Sequence, residues 1–208
     1  MLGVVVPAFN EENNIYKVIN NITSAKVLKE NIFVINNGSK DKTKEIALGC
    51  GVNVIDHIDS GYHHAVNRGL NELKNRGYEE FLIIDGDNEI DSSSVRNIMN
   101  LKNKYDFIFG KRNSPKRLAE RVLNFFFLKK YGVKDILCGL KYGNLELVNT
   151  EAKYDYAIDC LNLDKLNRYK IFNMDTKINL RSGSRLGSNL YVSYNLIITL
   201  LTYLIEKK

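Results

Sequence analysis

At 208 residues the chain is long enough for one well-buried domain and too short for two ordinary ones. Its three cysteines, Cys50, Cys138 and Cys160, are odd in number and widely spaced, which excludes a disulfide framework or a zinc pattern and fits reduced thiols in a cytoplasmic protein. The net charge of +6 favours phosphorylated substrates or an acidic membrane surface; scattered basic residues without an RNP-like or helix-turn-helix pattern argue against nucleic acid, and most of the charge reads as solvated lysine-rich surface.

Met1-Leu2-Gly3-Val4-Val5-Val6-Pro7 lacks a basic n-region, and its apolar run is too short for a secretory signal, so it is expected to be a first core strand. Proline can close such a strand but cannot continue its ladder, which places the end at Pro7. Pro7 to Asn14 is a polar loop leading into a helix that runs to about Thr23. Ile32-Phe33-Val34-Ile35 is a second strand, broken by Asn36-Asn37-Gly38-Ser39, and a helix follows from about Asp41 to Leu48. Val52 to Ile55 is a third strand. Gly61 to Gly69 opens a helix towards Arg76, before a fourth strand at Phe81. Strands and helices alternating at this spacing predict an α/β fold with a largely parallel sheet.

Phe81-Leu82-Ile83-Ile84 has no helical period and suits a strand covered on both faces. It stops at Asp85-Gly86-Asp87-Asn88-Glu89, which supports two readings. Asp, Gly and Asn are turn formers. Equally, Asp85, Asp87 and Glu89 offer the hard oxygen ligands that Mg²⁺ or Mn²⁺ prefer, at the strand end where open α/β sheets bind ligands.

Asp91 to Ser94 supplies N-cap residues for a helix through about Asn103, and Tyr105 to Gly110 is a further strand. Lys116 to Tyr131 reads as a helix whose apolar face is Leu118, Val122, Phe125, Phe126 and Leu128, surrounded by Arg117, Arg121, Lys129 and Lys130. The uncharged stretch Leu190 to Ile205 is shorter than the ~20 residues of a spanning helix. Both stretches are expected to pack into the core or a homodimer interface; the other reading is two basic amphipathic surfaces resting on a bilayer.

Taken in order, these segments resemble family 2 glycosyltransferases of the GT-A fold. Val4-Val5-Val6-Pro7-Ala8-Phe9-Asn10-Glu11-Glu12 is similar to their V-V-x-P-x-[YF]-N-E-E, and Ile35 to Thr43 to their D-D-G-S-x-D-x-T. Gly61 to Leu70 resembles G-x-x-x-A-x-x-x-G-L, and Asp85-Gly86-Asp87 stands where D-x-D belongs. Gly110-Lys111-Arg112 matches G-x-R, Asp135 to Lys141 matches D-x-x-x-G-[FL]-[RK], and Arg181 to Arg185 matches R-x-G-S-[KR]. Asp135 to Lys141, Arg181 to Arg185 and Glu89 narrow the likeness to dolichyl-phosphate mannosyltransferase-type enzymes, which transfer sugar to a polyprenyl phosphate.

The resemblance implies a Rossmann-like three-layer α/β/α fold, with residues 1–113 as the nucleotide-binding half and 114–208 as the acceptor-binding half. It implies an inverting, Mg²⁺- or Mn²⁺-dependent transfer from a UDP-, GDP- or other nucleotide-sugar donor to a polyprenyl phosphate or a cell-surface glycan precursor. Asp85 and Asp87 would hold the metal, with Glu89 at a further ligand position. Pro7, Ala8, Asn10 and Glu12 would line the base and ribose, and Gly61 and His64 would lie in the loop near the phosphates. Arg112, Arg117, Arg121, Arg181 and Arg185 would meet the diphosphate or an acceptor phosphate, since guanidinium grips phosphate bidentately. The late Glu-Asp pair of many inverting relatives has no clear counterpart. Asp135, Asp155 and Asp159 are the available acids, and Asp135 could serve a hydroxyl acceptor. A phosphate acceptor is already ionised and needs no base, which leans towards a lipid phosphate.

Asn36-Asn37 replaces the usual Asp-Asp. Asn37 can still accept from a base ring but lacks the charge that strengthens the bond, which penalises guanine more than uracil or cytosine; the other reading is an unchanged donor. The same departure motivates a competing hypothesis, a non-catalytic sugar-nucleotide-binding or scaffold protein. A nucleotidylyltransferase is disfavoured, because its glycine-rich basic opening loop is absent. The expected location is the cytoplasm, with peripheral contact at the inner face of the membrane.

Overall fold

The computed structural model describes residues 1–57, 61–113, 118–148, 166, 168–177, 179 and 198. Strands β1 (Leu2–Ala8), β2 (Ile32–Asn36), β3 (Asn53–Asp56), β4 (Glu80–Ile83), β5 (Phe107–Lys111), β6 (Lys141–Asn144) and β7 (Ile171–Asp175) form one sheet in the order β3-β2-β1-β4-β6-β5-β7. Every pairing is parallel except those of β6, which runs antiparallel to both β4 and β5. This is the expected mostly parallel α/β sheet, with two strands, β6 and β7, that the sequence did not announce.

The helices are α1 (Ile15–Ser24), α2 (Thr43–Gly49), α3 (Tyr62–Asn75), α4 (Ser92–Leu101) and α5 (Leu118–Tyr131). Period-two alternation divides the apolar strands between two cores. Val5, Phe33, Ile35, Phe81, Ile83 and Phe107 face α3 and α5. Val4, Val6, Ile32, Val34, Leu82 and Ile84 face Ile15, Val18, Ile22, Val95 and Ile98 of α1 and α4. Residues i and i+2 of a strand share a face, so continuous apolar runs such as Val4–Val6 can be buried on both sides. A Cβ at Gly69 would lie 2.3 Å from Val5 Cγ1, so this glycine lets α3 close onto β1. At α4 the Asp91 side chain accepts from the Ser93 N–H at 2.7 Å, forming the expected cap.

Two expectations change. β1 continues past Pro7 to Ala8. The Pro7 carbonyl accepts from the Gly86 N–H, so the position of its missing N–H faces the β4 side, where pairing has stopped at Val5 and Ile83.

The second change concerns α5. Of the face expected to pack into the core or a homodimer interface, Phe126 is half-buried against the core, whereas Leu118 is 74%, Val122 50%, Phe125 62% and Leu128 41% exposed in the single chain. Ala119, Leu123, Phe127 and Tyr131 are buried instead. The stretch Leu190 to Ile205 lies outside the described residues, Ile198 apart. Among the described residues no helix is long and apolar enough to cross a membrane.

Candidate functional site

β1 leads to β2 and β3 on one side of the sheet and β4 opens the other, so the strand order switches between β1 and β4. A crevice forms at the carboxyl ends of strands at such a switch. There the Gly86 N–H donates to the Pro7 carbonyl at 3.1 Å and the Asn37 N–H to the Ala8 carbonyl at 2.9 Å. A Cβ at Gly86 would stand 3.0 Å from that Pro7 oxygen. Backbone bonds and a missing side chain thus draw together the loop after β1, the loop after β2 and the acidic segment after β4.

Asp85 is fixed from two directions. The Tyr62 hydroxyl at the start of α3 donates to Oδ1 at 2.7 Å, and a Cβ at Gly139 would lie 1.9 Å from Oδ2. Burial and repulsion from Asp87 push the Asp85 carboxyl up to about 6, against the opposing Tyr62 hydrogen bond and the Lys141 charge. Lys141 is itself buried, its ammonium donating to the Cys138 carbonyl at 2.7 Å. Asp87 Oδ1 accepts from the Glu89 N–H at 2.9 Å across Asn88, which sits at a positive φ of 57°.

Glu89 lies close enough to add to the repulsion on the Asp85 carboxyl. Among the described residues no three His, Cys, Asp or Glu side chains gather as a metal cage, and Asp85 and Asp87 are the two carboxylates that the turn fixes. A carboxylate pair in which burial and repulsion disfavour ionisation of Asp85 fits a divalent cation, which would supply the missing positive charge and complete its shell with water and phosphate oxygens.

The first loop contributes scaffolding. Asn10, at φ 53°, donates its N–H to Ser39 Oγ and accepts from the Lys40 N–H with its own side chain. The Glu12 N–H donates to Asp41, and the Glu12 carboxylate accepts from the Lys42 N–H. Both acidic or amide groups expected to line a nucleotide therefore tie the first loop to the second. Asn36 is buried; its amide donates to Asp56 at 2.9 Å, and Lys44 pairs with the same carboxylate. An aspartate at position 36 would put two carboxylates together, so Asp56 accounts for the departure at Asn36.

Asn37 differs. Its amide donates to the Gly61 carbonyl at 3.4 Å, which fixes its orientation, and its Oδ1 is buried with no hydrogen-bond partner among the described residues. A buried acceptor left this way costs about 1–3 kcal/mol unless a donor arrives. Gly61, at φ 134°, precedes α3, whose first turn carries His63 and His64 with rings 3.9 Å apart. His64 is exposed and lies 6.4 Å, ring to ring, from His57 at the end of β3.

Arg112 and Asp135 meet each other. The guanidinium donates to Asp135 through Nε at 2.7 Å and its terminal nitrogen at 2.9 Å, and the Arg112 N–H adds a third bond at 3.1 Å. Asn124 of α5 donates to Asp135 Oδ1 as well, and Glu120 lies 3.7 Å from the guanidinium. Burial alone would raise the Asp135 carboxyl, but Arg112 holds it below the usual carboxylate range. With both oxygens engaged and 2% exposed, Asp135 is not placed to take a substrate proton, contrary to expectation. Arg121 is exposed on α5. Arg117, Arg181, Arg185, Asp155 and Asp159 lie outside the described residues.

Sequence reasoning missed Tyr62, Asp56, Asn124 and the steric role of Gly139. Each acts on a partner far along the chain; the one local signal was the phenol directly after Gly61.

The model of glycosyl transferase family 2 matches residues 3–130. Protein RfbJ of Shigella flexneri is 30% identical over 113 residues, covering 53% of this chain and 84% of its own. A dolichyl-phosphate beta-glucosyltransferase of Trichomonas vaginalis is 26% identical over 170 residues, 67% of this chain and 52% of its own. Among solved structures, glucosyl-3-phosphoglycerate synthase from Mycobacterium tuberculosis, in complex with Mn²⁺ and UDP-glucose, superposes with a TM-score of 0.79 at 21% identity, covering 97% of this chain and 78% of that one. That likeness shows a shared fold.

Proposed function

The chain belongs to glycosyl transferase family 2, and from that premise we propose that it moves a sugar from a nucleotide diphosphate to a lipid phosphate, with Mg²⁺ or Mn²⁺ held by Asp85 and Asp87. The observation that carries this reading is the fixed carboxylate pair at the β1/β4 switch, bonded through Gly86 to the end of β1, which is bonded in turn through Ala8 to the loop after β2. The cation supplies charge neutralisation for the departing diphosphate.

Each group of the chain then has a part. Tyr62 and Gly139 hold Asp85 in one orientation, leaving the amino end of α3 beside the site, where its N–H groups favour phosphate. Asn37 Oδ1 accepts a ring N–H of the base. A uracil offers one such donor; guanine offers two adjacent ones, and the Asn37 NH2 group, a donor turned towards the Gly61 carbonyl, has no lone pair to accept the second. The UDP-glucose held by the mycobacterial structural relative accords with this choice. An acceptor phosphate oxygen attacks the anomeric carbon as the bond to the diphosphate breaks, inverting that centre. No base is needed, which agrees with the full engagement of Asp135 by Arg112. The distant likeness to a dolichyl-phosphate transferase supports the same acceptor class.

Asp87→Ala tests the reading. Transfer from UDP-sugar with Mn²⁺, followed by release of UDP, is expected to fall roughly a hundredfold or more, with the fold intact by circular dichroism. Full activity in that variant would overturn the assignment.

A further inference from the structure

We infer that the outward face of α5 is a docking surface for an anionic lipid bilayer. At about 100° per residue, Leu118, Val122 and Phe125 form one stripe, nearly opposite the buried stripe of Ala119, Leu123, Phe127 and Tyr131. The outer stripe is apolar yet exposed, Leu118 by 74% and Phe125 by 62%. Its polar company is cationic: Arg121 is exposed on one side, and Lys129, one turn past Phe125 on the same stripe, is exposed with its ammonium 5.8 Å from the centre of the Phe125 ring. The only carboxylate of the helix, Glu120, is buried on the side that meets Arg112.

This charge pattern selects the occupant. In a two-fold contact between copies the same patch meets itself, which would bring Arg121 and Lys129 against like charges. An anionic lipid surface supplies the opposite charge together with an apolar layer for Phe125 and Leu118. The inner side of α5 holds Asp135 through Asn124, so docking would lay the lipid beside the acceptor half. The inference deepens the lipid-phosphate reading and rests on it for the acceptor's location; the docking face itself rests on α5.

The test is sedimentation of the full chain with phosphatidylglycerol vesicles and with neutral phosphatidylcholine vesicles, at low salt. The wild type is expected to pellet with the anionic vesicles. Lys129→Gln should weaken binding roughly fivefold and Phe125→Glu at least roughly tenfold, while the thermal shift from UDP with Mn²⁺ stays unchanged in both. A wild type that stays in the supernatant contradicts the inference, as does Phe125→Glu pelleting like the wild type. A wild-type dimer in light scattering, split by Phe125→Glu and never pelleting, would assign the face to a second copy and also overturn it. Loss of the UDP response with pelleting retained would sink the donor reading and leave the docking face standing.

Discussion

Asp85 concentrates the electrostatics of the site in one side chain. Its ordinary carboxyl value of 3.8 is raised to about 6. As pH rises between these values the unfolded chain releases the proton first, so the folded state loses stability and the loss is complete above the upper value. With chelator present, Asp85→Asn should therefore be more stable than the wild type at neutral pH, by about 3 kcal/mol, with the gap closing towards pH 4. Urea unfolding at the two pH values measures this; an equal gap at both would refute the electrostatic account. The pair Asp85-Gly86-Asp87 was legible in the sequence because its members are neighbours. Tyr62 and Gly139 were not, because hydrogen bonding and steric access depend on tertiary approach. The same applies to Asn36, whose replacement of an acid makes sense only beside Asp56.

At the scale of the element, α5 shows where periodicity misleads. Two apolar stripes lie on nearly opposite sides of the helix, so the sequence contains two candidate core faces that periodicity alone does not rank. What decides is the polar company: Asn124 and Glu120 flank the inner stripe and must reach Asp135 and Arg112. Leu123→Ala should cost about 2–5 kcal/mol in unfolding free energy, and Val122→Ala less than about 0.5. The reverse ranking in chemical denaturation would mean that the two faces are exchanged. β6 escaped notice for a related reason. Lys141-Tyr142-Gly143-Asn144 has little strand character, and it is held by pairing with β4 and β5. Gly143 is needed there because a Cβ would lie 2.1 Å from the Phe107 ring.

For the whole molecule, the alternation of strands and helices made the parallel part of the sheet readable from residue 2 to residue 111. The antiparallel insertion of β6 was not, since the spatial order of strands depends on packing partners rather than local pattern. The switch between β1 and β4 gathers Asn37, Tyr62 and the pair Asp85 and Asp87 from three segments into one crevice. Thermal shift with UDP, GDP, CDP and dTDP, each with and without Mn²⁺, probes that gathering directly. UDP should stabilise the wild type only when Mn²⁺ is present and exceed GDP, and the response should vanish in Asp87→Ala. Equal stabilisation by UDP without metal, or an unchanged response in Asp87→Ala, would contradict a nucleotide diphosphate site built on the carboxylate pair.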